Sequence, residues 1–185
     1  GLPNDMPTPT ARPANLADTT ANMGSKEKFY KEQYAFAKEA GLTGMMADLA
    51  VAQAALESGY GTGKLSSTAN NLHSIKAGDT WSGPVAQFMD DEVGPSSFRQ
   101  YASPVESYKD WAGLMQTNFP GVTTAQNLPE AIAGLKNGVK GMYASSFLNP
   151  DPKQNYATKL TDVYNDFVST KPAEMVDPNA SPFEK

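Results

Sequence analysis

The 185-residue chain is predicted to fold as a mainly helical α+β domain carrying one small β-hairpin. Three observations lead there. Apolar residues recur at helical spacing in five separate segments, each bounded by Gly, Pro, Ser or Asn. Residues 81–101 break that period with short extended runs around a Gly-Pro turn. A hydrophobic content of 39% over this length is enough for one core with tails.

Taken in order, residues 1–24 hold four prolines among Thr, Asn and Ala without any period, and read as a linker or arm. Residues 171–185 have the same character, which leaves residues 25–170 as the folded body. Ser25 is the expected N-cap of the first helix, SKEKFYKEQYAFAKEAG. Phe29, Tyr30, Tyr34 and Ala37 form its stripe and Gly41 its stop. A second helix is expected from Thr43 to Ser58, with Met45, Met46, Leu49, Ala50 and Leu56 inward. VAQFM and SSFRQY then flank DDEVGP as a hairpin. Pro104 suits the first turn of PVESYKDWAGLMQTN, and helical patterns follow in LPEAIAGLKNG and over about residues 152–169. Trp111 and Tyr164 sit on helical stripes and are assigned to packing. No internal repeat is present.

Composition narrows the chemistry. With no cysteine and a single histidine, His73, a zinc site would have to be built almost wholly from carboxylates, and neither a metal nor another cofactor is expected. The net charge of −5 and pI near 4.9 argue against nucleic acid as a partner, since phosphate binding depends on clustered Lys and Arg. No stretch approaches the roughly 20 apolar residues of a membrane span, so insertion is not expected. The N-terminus lacks a charged n-region followed by an apolar h-region, so if the chain acts outside the cytoplasm, something else is expected to deliver it. The Gly-Leu start and Pro-rich tails suit a module tethered to a larger polypeptide or assembly.

The residue that stands out is Glu57. It ends the Ala-rich run VAQAALE directly before Ser58, Gly59, Gly61 and Gly63. A helix C-terminus carries partial negative charge, so a carboxyl in the last turn is favoured in its neutral form and suits a general acid. From position alone a solvated helix-end glutamate is the commoner reading. Asp90, Asp91 and Glu92 are the second acidic feature. In an extended strand Asp90 and Glu92 share a face, where one of them can meet a cleft, although a solvated hairpin tip has the same composition. The spaced oxygen ligands of a calcium loop are missing. Flat apolar and amide partners for a sugar are Asn70, Asn71, His73, Trp81, Tyr101, Tyr143 and Tyr156, with a hydrogen-bonded structural role the alternative for His73.

AQAALESGYGTGKL, NNLHSIKAG, TWSGPV, FRQYAS and NYATKL, in this order and spacing, resemble the motifs of the glucosaminidase family of peptidoglycan hydrolases, glycoside hydrolase family 73, over about residues 28–168. The resemblance implies a lysozyme-like helical domain whose β-hairpin lobe walls a groove for a glycan strand. It also implies cleavage of the β-1,4 bond after N-acetylglucosamine, with Glu57 as catalytic acid and Glu92 as second glutamate, Asp90 or Asp91 being the alternatives. Tyr143 matches a family tyrosine, with Met142 inserted after Gly141, and Tyr156 matches another; Asn71, His73, Trp81, Tyr101 and Tyr156 are the expected substrate contacts. His73 and Ser74 stand where the family has an aromatic residue and glycine, and the loop over residues 145–155 is longer than usual. The partner implied is peptidoglycan, placing the chain in periplasm, cell wall or virion in a flagellar, autolysin or bacteriophage context. A muramidase or lytic transglycosylase on the same fold, and a non-catalytic wall-binding module, are the alternatives.

Overall fold

The structure, a computed structural model, describes residues 24–90, 93–172 and 175. The expected division into linker, body and tail falls partly outside these residues.

Helix α1 spans Ser25–Glu39 and buries Phe29, Tyr30, Gln33, Tyr34 and Ala37 along one stripe. Its cap differs from the expectation. Gly24 holds the N-cap position with no side-chain cap bond, and Ser25 is already helical. The Lys28 amide is satisfied by the Gly24 carbonyl at 2.9 Å, and Glu27 in the first turn complements the dipole, so the helix starts without a hydroxyl cap. Its other end closes where the Leu42 amide returns to the Ala37 carbonyl.

Helix α2, Gly44–Ser58, is buried nearly all round rather than along a stripe, with Ala47, Leu49, Ala50, Val51, Ala52, Ala54 and Ala55 sealed from solvent. Met46 and Leu56 are partly buried at its edge. Small side chains on every face let other helices approach closely, which makes this the central strut of the body. The helix ends because Gly59 takes a left-handed conformation (φ 56°) and the Tyr60 amide bonds back to the Ala55 carbonyl. Ser58 completes the stop, donating to the Ala54 carbonyl and accepting from the Gly61 amide.

A short helix α3, Lys64–Ala69, leads to the hairpin of β1, Val85–Asp90, and β2, Gly94–Arg99. The strands are antiparallel, with Val85 opposite Arg99 and Asp90 opposite Gly94. Phe98 alone among the strand residues is buried in the core. The lobe is therefore thin, and it is tied to the body by hydrogen bonds more than by packing. Asn71 supplies two of them, its amide donating to the Ile75 and Arg99 carbonyls.

Helix α4, Pro104–Asn118, is capped by Ser103, and the single turn α5, Pro120–Thr123, follows it. Helix α6, Leu128–Lys136, is capped by Asn127. A Cβ on Gly134 would stand 2.5 Å from the Val122 amide nitrogen, so α6 approaches α5 at backbone contact. After a 3₁₀ turn at Ser145–Leu148, helix α7 runs Tyr156–Thr170. It starts later than expected because the amides of Gln154 and Asn155 fold back on the Asp151 carbonyl, leaving Asn155 to cap. The three short turns α3, α5 and 3₁₀ escape sequence reading for lack of a full helical period.

Trp111, Tyr108 and Met115 of α4 fill the middle of the core, and Tyr164 of α7 is buried as expected. Helix α7 lies along α2 and is anchored beyond its C-terminus by Lys171, whose ammonium meets Asp48 at 2.7 Å with both side chains sealed from water. Among the described residues no helix is long and apolar enough to cross a membrane.

Candidate active site

Glu57, the penultimate residue of α2, is partly buried. The Tyr156 hydroxyl, on the first residue of α7, donates to Glu57 Oε1 at 2.8 Å. Burial pushes the Glu57 carboxyl up to about 7, against hydrogen bonds from Tyr156 and Ser74 and the more distant Lys159 charge, which all favour the anion. Desolvation wins because none of these is a cation in contact: Glu57 forms no ion pair with another described residue. A carboxyl poised near neutrality can hold a proton and release it to a leaving oxygen.

The wall around Glu57 is aromatic. Tyr156 is stacked by Tyr143 at 6.2 Å between ring centres and flanked by Phe147 at 4.9 Å. Tyr143 packs on Phe119, and its hydroxyl donates to the His73 carbonyl at 2.7 Å. Ser74, next in sequence, adopts a left-handed conformation (φ 54°) that is uncommon for a residue with a Cβ, and its hydroxyl reaches the C-terminal turn of α2. Glu57, Tyr143, Tyr156 and Ser74 thus form one cluster.

Three expected substrate contacts have buried side chains. The His73 ring is fully buried, with Nε2 at 3.0 Å from the Ala50 carbonyl and Nδ1 at 3.1 Å from Ser107 Oγ. A carbonyl only accepts, so Nε2 carries the proton and Nδ1 accepts from Ser107. Burial lowers the pKa of the ring to about 4, and it stays neutral as a bolt between α2 and α4. Asn71 is equally sealed, its amide spent on backbone partners of the lobe. Tyr101 is buried with its hydroxyl on Asp110, which also holds Arg99 at 2.9 Å. The sequence expectation for these side chains rests on polar type and spacing; in the fold their polar atoms are hydrogen-bonded within the scaffold. Asn70 does likewise, donating to the Tyr101 carbonyl.

Trp81 stays partly open. Its ring stands edge-on to Tyr101, with the Arg99 guanidinium 5.0 Å from its centre and Nε1 donating to the Pro84 carbonyl. Of the hairpin acids, Asp90 pairs with Lys76 at 2.9 Å. Asp91 and Glu92 lie outside the described residues. Among the described residues no group of His, Asp or Glu could hold a metal ion.

Sequence reading missed Gln53 and the polar role of Trp111. Gln53 is completely buried; its Nε2 donates to the Tyr156 oxygen at 2.9 Å, while its Oε1 accepts from Trp111 Nε1 at 2.8 Å. The available signal was its place one turn before Glu57, on the same face of the helix.

Comparison with known proteins gives the family and the fold. A family model described as mannosyl-glycoprotein endo-beta-N-acetylglucosaminidase, the glucosaminidase family, matches residues 33–168. The peptidoglycan hydrolase FlgJ of Escherichia coli K12 is 31% identical over 134 residues, 65% of this chain and 40% of that protein. The chain thus spans about 40% of the length of such relatives. Among solved structures, the glycoside hydrolase domain of Salmonella typhimurium FlgJ superposes with a TM-score of 0.57 at 30% identity, covering 80% of this chain and 90% of that one. A peptidoglycan hydrolase from Sphingomonas sp. A1 gives 0.62 at 27%, covering 80% and 96%.

Proposed function

The chain belongs to the glucosaminidase family and has the glycoside hydrolase fold, and from that premise we propose that it hydrolyses the β-1,4 bond after N-acetylglucosamine in peptidoglycan. The observation that carries the proposal is the Glu57 carboxyl, desolvated at the end of α2, held near neutrality and contacted by a tyrosine rather than a cation. In this reading Glu57 gives its proton to the oxygen of the leaving sugar as the glycosidic bond breaks and positive charge grows at the anomeric carbon. Glu92 is the proposed second carboxylate, stabilising that charge or activating water; Asp90 is already engaged with Lys76. Tyr143 positions the sugar or its acetamido group, and Trp81 offers a partly open ring to the glycan. That substrate would place the chain in periplasm, cell wall or virion, in a flagellar, autolysin or bacteriophage setting.

The test is digestion of purified peptidoglycan with the unmodified chain and with Glu57→Gln, borohydride reduction, and mass spectrometry of the new ends. Reduced N-acetylglucosamine ends made only by the unmodified chain are expected. Reduced muramic or anhydromuramic ends would change the bond or the reaction. An absence of new ends across several wall types and pH values would leave a wall-binding module.

A further inference from the structure

Four buried or partly buried groups stand in line behind the proposed acid: Trp111 Nε1, the Gln53 amide, the Tyr156 hydroxyl and Glu57 Oε1, with successive separations of 2.8, 2.9 and 2.8 Å. The direction of every hydrogen bond in this line follows from its far end. An indole nitrogen only donates, so it faces the carbonyl oxygen of Gln53. The Gln53 nitrogen is thereby turned to Tyr156, whose oxygen must accept. The one proton of the Tyr156 hydroxyl is then directed at Glu57 Oε1. Trp111 cannot swing away, being fully buried and stacked on the His73 ring at 5.8 Å. His73 is itself held at both nitrogens.

We propose that Gln53, locked by Trp111, is a positioning residue that keeps Tyr156 a donor to Glu57 Oε1 and so reserves the other oxygen, Oε2, for the proton delivered to substrate. With Oε1 always an acceptor, the acid holds its proton on Oε2. When that proton moves to the leaving oxygen, which also takes the electron pair of the broken C–O bond, the new carboxylate meets a hydrogen bond already in place. No side chain has to rotate in that step. A free tyrosine hydroxyl next to a carboxyl can donate or accept; the bond from Gln53 occupies one acceptor position of its oxygen and favours donation to Glu57. The inference rests on the hydrolase reading for its purpose, whereas the direction of the line is a property of the folded chain alone.

The experiment is a double-mutant cycle on Gln53→Met and Tyr156→Phe, with two readouts. The Glu57 carboxyl is titrated by ¹³C NMR, assigned by its loss in Glu57→Gln, and the pH profile of kcat is measured on peptidoglycan. Gln53→Met is expected to raise the Glu57 midpoint by up to about 1 pH unit, since a weakened donor favours the anion less. The alkaline limb of kcat moves the same way, with about a tenfold lower maximum and an unchanged KM. The double variant should match Tyr156→Phe alone, because Gln53 acts only through that hydroxyl. Since Gln53→Met strands the indole N–H, Gln53→Met with Trp111→Phe repeats the test with both polar partners removed. An unmoved Glu57 midpoint in both Gln53 variants, or effects that add to those of Tyr156→Phe, would overturn the proposal. Failure of the unmodified chain to release ends from peptidoglycan would sink the hydrolase reading instead, and the NMR titration would still decide the donor line.

Discussion

Helix α2 carries two carboxylates withdrawn from water, nine positions apart, and the protein treats them in opposite ways. Asp48, in the second turn, meets the Lys171 ammonium at 2.7 Å, with side-chain exposures of 0% and 1%. The lysine also lies over the Tyr34 and Phe167 rings, so the pair is wedged between α1, α2 and the end of α7. Glu57, in the last turn, is offered hydroxyls and a negative helix end, and burial carries it up to about 7. The lesson concerns the partner and not the burial. A contacting cation converts a buried acid into a rivet, whereas neutral donors leave it able to change charge near physiological pH.

The largest expected effect is on turnover. Glu57→Gln should lower the rate of peptidoglycan cleavage by about 10²- to 10⁴-fold, while its thermal unfolding stays cooperative. Equal rates for the two proteins would end the acid assignment. Next comes the rivet: Lys171→Met takes the contacting cation away from the buried Asp48 carboxylate and should cost about 3–5 kcal/mol in urea unfolding, with the rate per folded molecule unchanged. A comparable loss of rate per folded molecule would mean that the two ends of α2 are not independent. Adding Asp48→Leu to Lys171→Met should regain most of that stability, because an apolar pair of similar volume has no ion to desolvate.

The pH dependence of stability separates the two acids further. Folded Glu57 keeps its proton up to about 7, whereas an ordinary glutamate loses it near 4.5, so over that window the native state binds more protons than the unfolded one. Stability of the unmodified chain relative to Glu57→Gln should therefore fall as pH rises from 4.5 to about 7, then level off; a flat difference would show that Glu57 is not perturbed. Activity should decline over the alkaline side of the same midpoint. The smallest effect concerns the cap beside Tyr156. Asn155→Ala removes the acceptor of the Ala157 amide and should cost about 1 kcal/mol in the same urea titration.

Much of this was legible in the chain. Residues 81–101 read as a hairpin because their period and turn residues are local, and β1 and β2 fall inside that range. The helices 104–118 and 128–136 follow their apolar period and their prolines nearly residue for residue, and helix 44–58 ends at the Ser58-Gly59 stop read from the chain. Glu57 stood out because a carboxylate is unexpected at the end of an alanine-rich helix, and the five ordered motifs pointed to the family that the comparisons bear out. Sequence alone determined these things because each depends on neighbours within a few positions of the chain.

What tertiary structure alone decided is the fate of each polar group. His73, Asn71 and Tyr101 look from sequence like sugar contacts, yet Ser107, Arg99 and Asp110, which lie 34, 28 and 9 positions away, commit them to the scaffold. Asp48 looks like an ordinary helix residue until Lys171, 123 positions on, closes over it. Gln53 gains its meaning only when Trp111 and Tyr156 converge on its two ends. Hydrogen bonds and desolvation act over a few ångströms of space and are indifferent to distance along the chain. A local pattern therefore predicts helices and a hairpin, but only the assembled fold determines which carboxyl keeps its proton.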